Sequence, residues 1–406
     1  MKPMGPLPPE FAAQSGMLAI SGRSATDWAA EAGTPVFVYD AGIVSARVAR
    51  FRAAFPGVDL HYAIKANPLP ALLDVIAPLV DGLDVASAGE LTRALAVKPP
   101  ASISFAGPGK RGDELEAAIE AGATINLESE REAARALAIA DRLGRTPRLA
   151  VRVNPSFELR GSGMRMGGRA SPFGVDAERV PALVRNLLDT GADWRGFHIY
   201  AGSQTLDTEA LCEAQALTIT LARDLAERIG AVPPLVNLGG GFGVPYFAGD
   251  TPIDVERIGE RLQGHLREEW RAPGYAIELG RWLVAEAGVY LTRVVDVKES
   301  GGETFVVVDG GLNHQLAASG NFGTVVRRNY PVAVAHALNA PADTTVSVVG
   351  PLCTPLDRLG DRVALPHAAP GDLIAIFLAG AYGATASPGA FLGHPPAAER
   401  VALGAY

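Results

Sequence analysis

Three features of this chain have the residue types that chemistry needs. Lys65 stands near the end of HYAIKANP (61–68), where an apolar run becomes a loop. Glu278 lies in a second such run, YAIELGR (275–281), and Gly239, Gly240 and Gly241 close a third, LVNLGGG (235–241). Lysine is among the residues least often buried. Where it is buried, its pKa falls and the neutral amine is freed as a nucleophile for imine formation. Three successive glycines remove every Cβ, so backbone N–H groups can wrap an anion. Alone they would read as a tight turn, and they do not match the dinucleotide G-x-G-x-x-G pattern. Arg281, just beyond Glu278, supplies a charged partner for a phosphate.

The elements that must position these groups alternate regularly. The β-prone runs are LHYAIKAN (60–67), GLDVAS (82–87), SISFAG (102–107), TINLES (124–129), RLAVRVNP (148–155), RGFHIYAGS (195–203), LVNLGGG (235–241) and YAIELGR (275–281). Helical patterns such as GDELEAAIEAG and SEREAARALAIADRL separate them. Eight strand–helix units predict an α/β fold, a (β/α)8 barrel of the usual size of about 250 residues, in preference to an open doubly wound sheet. Beyond about residue 290, VYLTRVVDVKES, ETFVVVDGG, TTVSVVGPL, RVALP and DLIAIFLAG are β-rich, which predicts a second, mostly antiparallel β domain. The early strand PVFVYD (35–40) is expected to pair into it. The expected division is residues 1–44 joining the β domain, 45–290 the barrel and 291–406 the C-terminal β domain.

Composition removes several classes of function. A length of 406 residues exceeds one ordinary core. A net charge of −8 speaks against nucleic acid and anionic membranes as partners. Two cysteines, Cys212 and Cys353, do not make a disulfide framework, and a reducing compartment is expected. MKPMGPLPPEF has no apolar run after its lysine, so no signal peptide is read there. No continuous apolar stretch is long enough to span a bilayer. A cytoplasmic protein without a metal site is the expectation.

In a barrel, the C-terminal strand ends face the active site. Those ends collect Lys65, Asp84, Arg152, His198, Tyr200, Gly239, Gly240, Gly241, Glu278 and Arg281. A carboxylate against a pyridine nitrogen keeps it protonated, and a protonated pyridinium is an electron sink. Lysine, acidic ring-nitrogen partner and phosphate site together are what pyridoxal 5'-phosphate requires. His198 and Tyr200 are two apart on one strand, so they share a face, and either could lie flat on a ring.

At this point the residues resemble a known family, the fold-type III pyridoxal-phosphate decarboxylases, whose members include ornithine, arginine and diaminopimelate decarboxylases. YAIKAN, DVASAGEL, the GGG turn, ELGR (commonly EPGR in the family), VDGG, GPLC and GAYG carry the resemblance from PVFVYD to residue 383. It implies an alanine racemase-like barrel plus β domain, assembled as a head-to-tail homodimer with shared sites. It implies that Lys65 carries the imine and Glu278 pairs with the ring nitrogen. Gly241, Arg281 and Ser203 would hold the phosphate with help from Tyr382, and Asp84 and Arg152 would lie near the cofactor. Cys353 would reach the partner's site and help return a proton to Cα.

Two departures bear on the substrate. HIYAGSQ puts Tyr200 where the family's ring-stacking histidine is expected. Thr354 follows the cysteine, where members often have an acidic substrate selector, although Asp309 or Asp357 could compensate. The family's arginine after the VDGG-like motif is also missing from GGLNHQLAASGNFG. HIYAGSQ, NLGGGFGVPYF, MRMGG, GPLCTPLD and SPGAFLGHP resemble a subgroup more closely. That subgroup decarboxylates a glutamyl group tethered to an acyl-carrier protein in butirosin biosynthesis, or accompanies exosortase and exopolysaccharide gene clusters. The reading is therefore decarboxylation of an amino acid or an aminoacyl group on a carrier protein. Free diaminopimelate or a basic amino acid (lysine or ornithine) is the alternative substrate. A racemase is disfavoured, because racemases of this fold place arginine at the ring nitrogen. A lone-barrel cofactor carrier and an imine-forming aldolase fit less well.

Overall fold

Strand alternation builds the barrel and also decides what fills it. In Asp59–Ala63, Leu60 and Tyr62 are fully buried on one face while His61 and Ala63 occupy the other. The same alternation puts Leu83 and Val85, Ile103 and Phe105, Ile125 and Leu127, and Leu149, Val151 and Val153 on the outer, helix-facing side. The inner face then receives Asp84, Ser104, Asn126, Arg152, His198, Asn237 and Glu278. Barrels are commonly filled by layers of branched aliphatic side chains, and this interior is instead small and polar.

The computed structural model describes residues 1–11, 13–14, 16–161, 163–165, 167, 170–268, 274–320 and 327–404. All eight expected strands are present: Asp59–Ala63, Gly82–Val85, Ile103–Phe105, Thr124–Leu127, Arg148–Asn154, Asp193–Ile199, Leu235–Asn237 and Gly274–Leu279. Every neighbouring pair is parallel, and Gly274–Leu279 pairs with Asp59–Ala63 to close the cylinder. Helix starts follow local chemistry. Ser87, Ser129 and Asp207 accept from backbone N–H groups three residues on, and Gly144 and Gly230 end their helices with positive φ.

The second sheet holds Gly288–Ser300 at its centre, antiparallel to Glu303–Val308, Leu373–Ile376 and Val36–Asp40. Val36–Asp40 thus joins the β domain as its sequence suggests. Two pairings are parallel: Ala398–Ala402 with Val36–Asp40, and Glu303–Val308 with Thr344–Val349. Strands Val332–Val334 and Ala398–Ala402 were not expected.

The chain divides into two compact units, one of residues 47–243 and 252–280, the other of 1–46, 244–251 and 281–406. The barrel was expected to run to residue 290. Residues 281–290 instead group with the β unit, because Gly288–Ser300 begins there as a sheet strand.

One buried charge cluster braces the barrel unit. Lys110 Nζ donates to Glu132 Oε1 at 2.7 Å and to the carbonyls of Gly107 and Asn126. Burial is the largest influence on both groups. It pushes the ammonium down and the Glu132 carboxyl up, against their mutual attraction. Lys110→Met is expected to cost about 3–5 kcal/mol, because it strands a buried carboxylate. Urea unfolding measures this, and Lys110→Met with Glu132→Leu should recover most of the loss. A single variant within about 1 kcal/mol of the native protein would contradict it.

Candidate active site

Lys65 follows its strand by two residues, in the one-turn 3-10 helix Ile64–Ala66. It is exposed, which corrects the expectation that burial activates it. The strand ends after Ala63, and the turn lifts the side chain to the rim. Its Nζ lies 6.0 Å from the centre of the Tyr200 ring.

Glu278 sits below, buried at the end of Gly274–Leu279. Its Oε2 accepts from His198 Nε2 at 2.7 Å and from Asn237 Nδ2 at 3.2 Å. Burial alone would raise this carboxyl. His198 foremost, then Lys65 and Arg152, outweigh it and hold Glu278 below the usual carboxylate range. A carboxylate so held stays ionised while waiting for a cationic partner.

His198 was offered beside Tyr200 as a ring-stacking residue. The structure gives it a different role, for it is buried and bonded edge-on to Glu278, with its ring 6.4 Å from that of half-buried Tyr200. Tyr200 is thus the aromatic at the rim beside Lys65. Asp84 turns one oxygen toward His61 Nδ1 at 3.4 Å, and its buried Oδ2 has no partner among the described residues. Arg152 is buried, donates to Glu128 Oε1 at 2.9 Å and lies 4.9 Å from the Phe173 ring centre. Glu128 also accepts from the N–H groups of Gly107 and Gly174.

The glycine turn is built by exclusion. Gly239 and Gly241 have φ of +71° and +85°, which side chains disfavour. Gly240 lies so close to Glu278 that a Cβ would be 1.9 Å from its carbonyl oxygen. Gly239 N–H donates to Asn237 Oδ1, and Gly241 C=O accepts from Thr205 N–H. These turn bonds do not use the N–H groups of Gly240 and Gly241. In the same unit Ser203 Oγ is buried and has no partner among the described residues.

In the β unit, Arg281 donates to Tyr246 Oη at 3.1 Å, and its guanidinium lies 4.6 Å from the Tyr382 ring centre. Tyr382 itself has a φ of +55°. Cys353 is exposed on a loop, and Cys212 is a buried helix residue. Thr354 is half-buried, with its Oγ1 accepting from Leu356 N–H. Asp309 and Asp357 correct the sequence reading, because both are committed to the framework. Asp309 accepts from the hydroxyls of Thr34 and Thr292 and from Arg293 N–H, and Asp357 from the N–H groups of Leu312 and Leu352. Neither compensates for the acidic residue that Thr354 replaces. Residues 321–323 of GGLNHQLAASGNFG, and residues 166 and 168 of MRMGG, lie outside the described residues.

Sequence reasoning missed Asn237, Glu128 and His61. The first two stand at strand ends in LVNLGGG and TINLES, where the rim rule could have found them. His61 precedes Ala63 on the inner face and carries no such signal.

A closed parallel barrel with a rim lysine, a buried ionised glutamate and a turn of three glycines is the arrangement that a phosphorylated ring anchored through an amine would need. The family model described as "Pyridoxal-dependent decarboxylase, pyridoxal binding domain" matches residues 41–290. The chain belongs to this family and is a pyridoxal-phosphate-dependent decarboxylase. It is 38% identical over 379 residues to an L-glutamyl-[BtrI acyl-carrier protein] decarboxylase of Niallia circulans, covering 90% of this chain and 88% of that one. It is 34% identical over 400 residues to a diaminopimelate decarboxylase of Archaeoglobus fulgidus, covering 97% and 94%. The solved diaminopimelate decarboxylase of M. jannaschii in complex with L-lysine superposes with a TM-score of 0.86 at 27% identity, covering 95% and 91%. The residues present fit the cofactor on three counts: the orphaned Ser203 Oγ, the N–H groups of Gly240 and Gly241 that the turn bonds do not use, and an ionised Glu278.

Proposed function

We propose that this decarboxylase acts on an aminoacyl group tethered to an acyl-carrier protein. The observation that carries the reading is Thr354 standing where relatives often have an acidic selector, with Asp309 and Asp357 both bound into the framework. A substrate whose distal carboxylate is already a thioester presents no distal ammonium, so such a selector has little to grip. The 38% identity to the carrier-linked glutamyl enzyme supports this reading.

When bound, pyridoxal phosphate supplies an electron sink for the pair left at Cα as CO2 departs. Lys65 is the proposed anchor and would hold the group through its rim amine. Glu278, held ionised foremost by His198, then by Lys65 and Arg152, would keep the ring nitrogen protonated. Tyr200 would pack on the ring, and Asp84 and Arg152 would border it. Ser203 and Gly239–Gly241 are the proposed phosphate ligands, with Arg281 and Tyr382. Cys353 is the proposed proton donor to Cα, acting on the partner subunit of a homodimer. Among the described residues no helix is long and apolar enough to cross a membrane, and we place the enzyme in the cytoplasm. We also propose the division into 1–44, 45–290 and 291–406, from which the compact units differ at 244–251 and 281–290.

CO2 release tests the substrate reading. It should be fastest with a glutamyl or other aminoacyl carrier protein, and low with free lysine, ornithine, arginine, glutamate or diaminopimelate. Turnover of free diaminopimelate alone would overturn it in favour of the second reading, which the 34% relative supports. Gly240→Ala should weaken cofactor binding at least about tenfold, or 1.4 kcal/mol, because the new methyl displaces the cradle from Glu278. Fluorescence titration with pyridoxal phosphate measures it, and unchanged affinity would remove the cradle from the site.

A further inference from the structure

The polar barrel interior holds a cavity of about 310 Å³. One end lies at the strand starts, where Asp59, Ala101 and Gly274 are exposed to solvent. The other end is lined by His198 and Asn237, the two residues that hydrogen bond Glu278 Oε2. Between them Ser104, Asn126 and Ala150 line the shaft, with Ile103, Phe197 and Leu235 also in its wall. His198 is 2% exposed, and its Nδ1 has no partner among the described residues. A ring nitrogen left bare in the interior is costly, whereas a space of this size, with mixed polar and apolar walls, has room for about ten waters at roughly 30 Å³ each.

The geometry points to a hydrated proton port that joins solvent at the N-terminal face of the barrel to His198 Nδ1, on the side away from Lys65. This deepens the proposed function and rests on Glu278 serving as the ring-nitrogen partner. The step is proton transfer only. A water gives a proton to Nδ1 as the ring becomes imidazolium, and takes it back as the ring reverts. The Nε2–H···Glu278 bond persists in both states. The pair can then equilibrate with solvent while cofactor and substrate cover the opposite face. His198 acts through Glu278 and is a positioning residue.

The charged and titratable groups facing the pair are Lys65, Arg152 and His61. Within the cavity wall, His61 faces Asp84, Asp81 is held by Arg52, and Arg148 and Arg195 share Asp193. Asp59 stands exposed at the solvent end. Among the described residues these pairings leave two unpartnered nitrogens on the cavity wall, His198 Nδ1 and Arg148 Nε, and the port serves Nδ1 because His198 is the one of the two that bonds Glu278.

Histidine-selective 15N NMR tests the port, with His198→Gln identifying one signal among the seven histidines. In cofactor-free protein, the His198 ring should show a magnetisation-exchange signal with water. The signal should persist after pyridoxal phosphate is added. It should be lost in Ala150→Leu, which fills the shaft, and in Ser102→Phe, which plugs its solvent end. Ser102→Phe decides the matter if Ala150→Leu does not fold. Loss of the native signal on cofactor binding, or its survival in the plugged variants, would overturn the port. A protein that takes up no pyridoxal phosphate would sink the cofactor reading, while the plugged cofactor-free variants would still decide the port.

Discussion

Lys65→Ala is expected to give a folded protein that no longer retains pyridoxal phosphate covalently and releases almost no CO2. Lys65 is exposed at the end of its strand, so losing the side chain removes little packing and should leave the unfolding midpoint nearly unchanged. The chemistry has no such tolerance. The amine is both the proposed anchor and the group best placed to move a proton at the barrel mouth. A positioned acid–base group alone contributes about 10²–10⁴-fold, so decarboxylation should fall by at least that factor. Visible absorbance of the cofactor-loaded protein and a CO2 assay measure the two effects. Retained absorbance with activity within tenfold would mean that another group serves as anchor.

Glu278→Gln is the second large effect. The substitution keeps the size of the side chain and one oxygen for His198 and Asn237, but removes the charge proposed to keep a ring nitrogen protonated. The folded carboxyl lies below the ordinary range, so the native enzyme holds Glu278 ionised even where a free glutamate, with a pKa of about 4.3, begins to protonate. The sign follows from that depression. The group's contribution to stability is present above the unfolded value and is lost as pH falls through the folded one. Glutamine should lower kcat by about 10²–10³-fold, comparable to removing one preorganised electrostatic contact in other active sites. Cofactor affinity should change much less, because Lys65 and the phosphate cradle remain. A variant with unchanged kcat would remove Glu278 from the chemistry.

The barrel was legible because each strand announces itself locally. LHYAIKAN, TINLES and YAIELGR are short β-prone runs between helical patterns, and eight of them in series leave few closed alternatives. The glycine turn was legible for a related reason, since a run of three glycines marks a backbone that cannot carry side chains. Partnerships between distant strands were not legible. His198 and Glu278 lie 80 residues apart, and the hydrogen bond that joins them depends on strand order and tilt. A stacking role for His198 was reasonable from its spacing to Tyr200, but the strand pairing turns its ring onto Glu278. Asp309 and Asp357 misled for a similar reason. Proximity to VDGG and GPLC marks a neighbourhood, whereas Thr34, Thr292 and the N–H groups of Leu312 and Leu352 decide what those carboxylates do. The extent of burial at Lys65 was also hidden, because a single 3-10 turn separates a core strand from the rim.

The placement of the anchor can be read directly. The chain has five lysines, at positions 2, 65, 98, 110 and 298. Lys110 is enclosed against Glu132, Lys98 donates to the carbonyls of Ala77 and Val80, and Lys2 is paired with Asp361. Borohydride reduction of the cofactor-loaded protein, followed by peptide mapping, should find the pyridoxyl group on Lys65 alone. A label on Lys298 or on any other lysine, with Lys65 unmodified, would contradict the account.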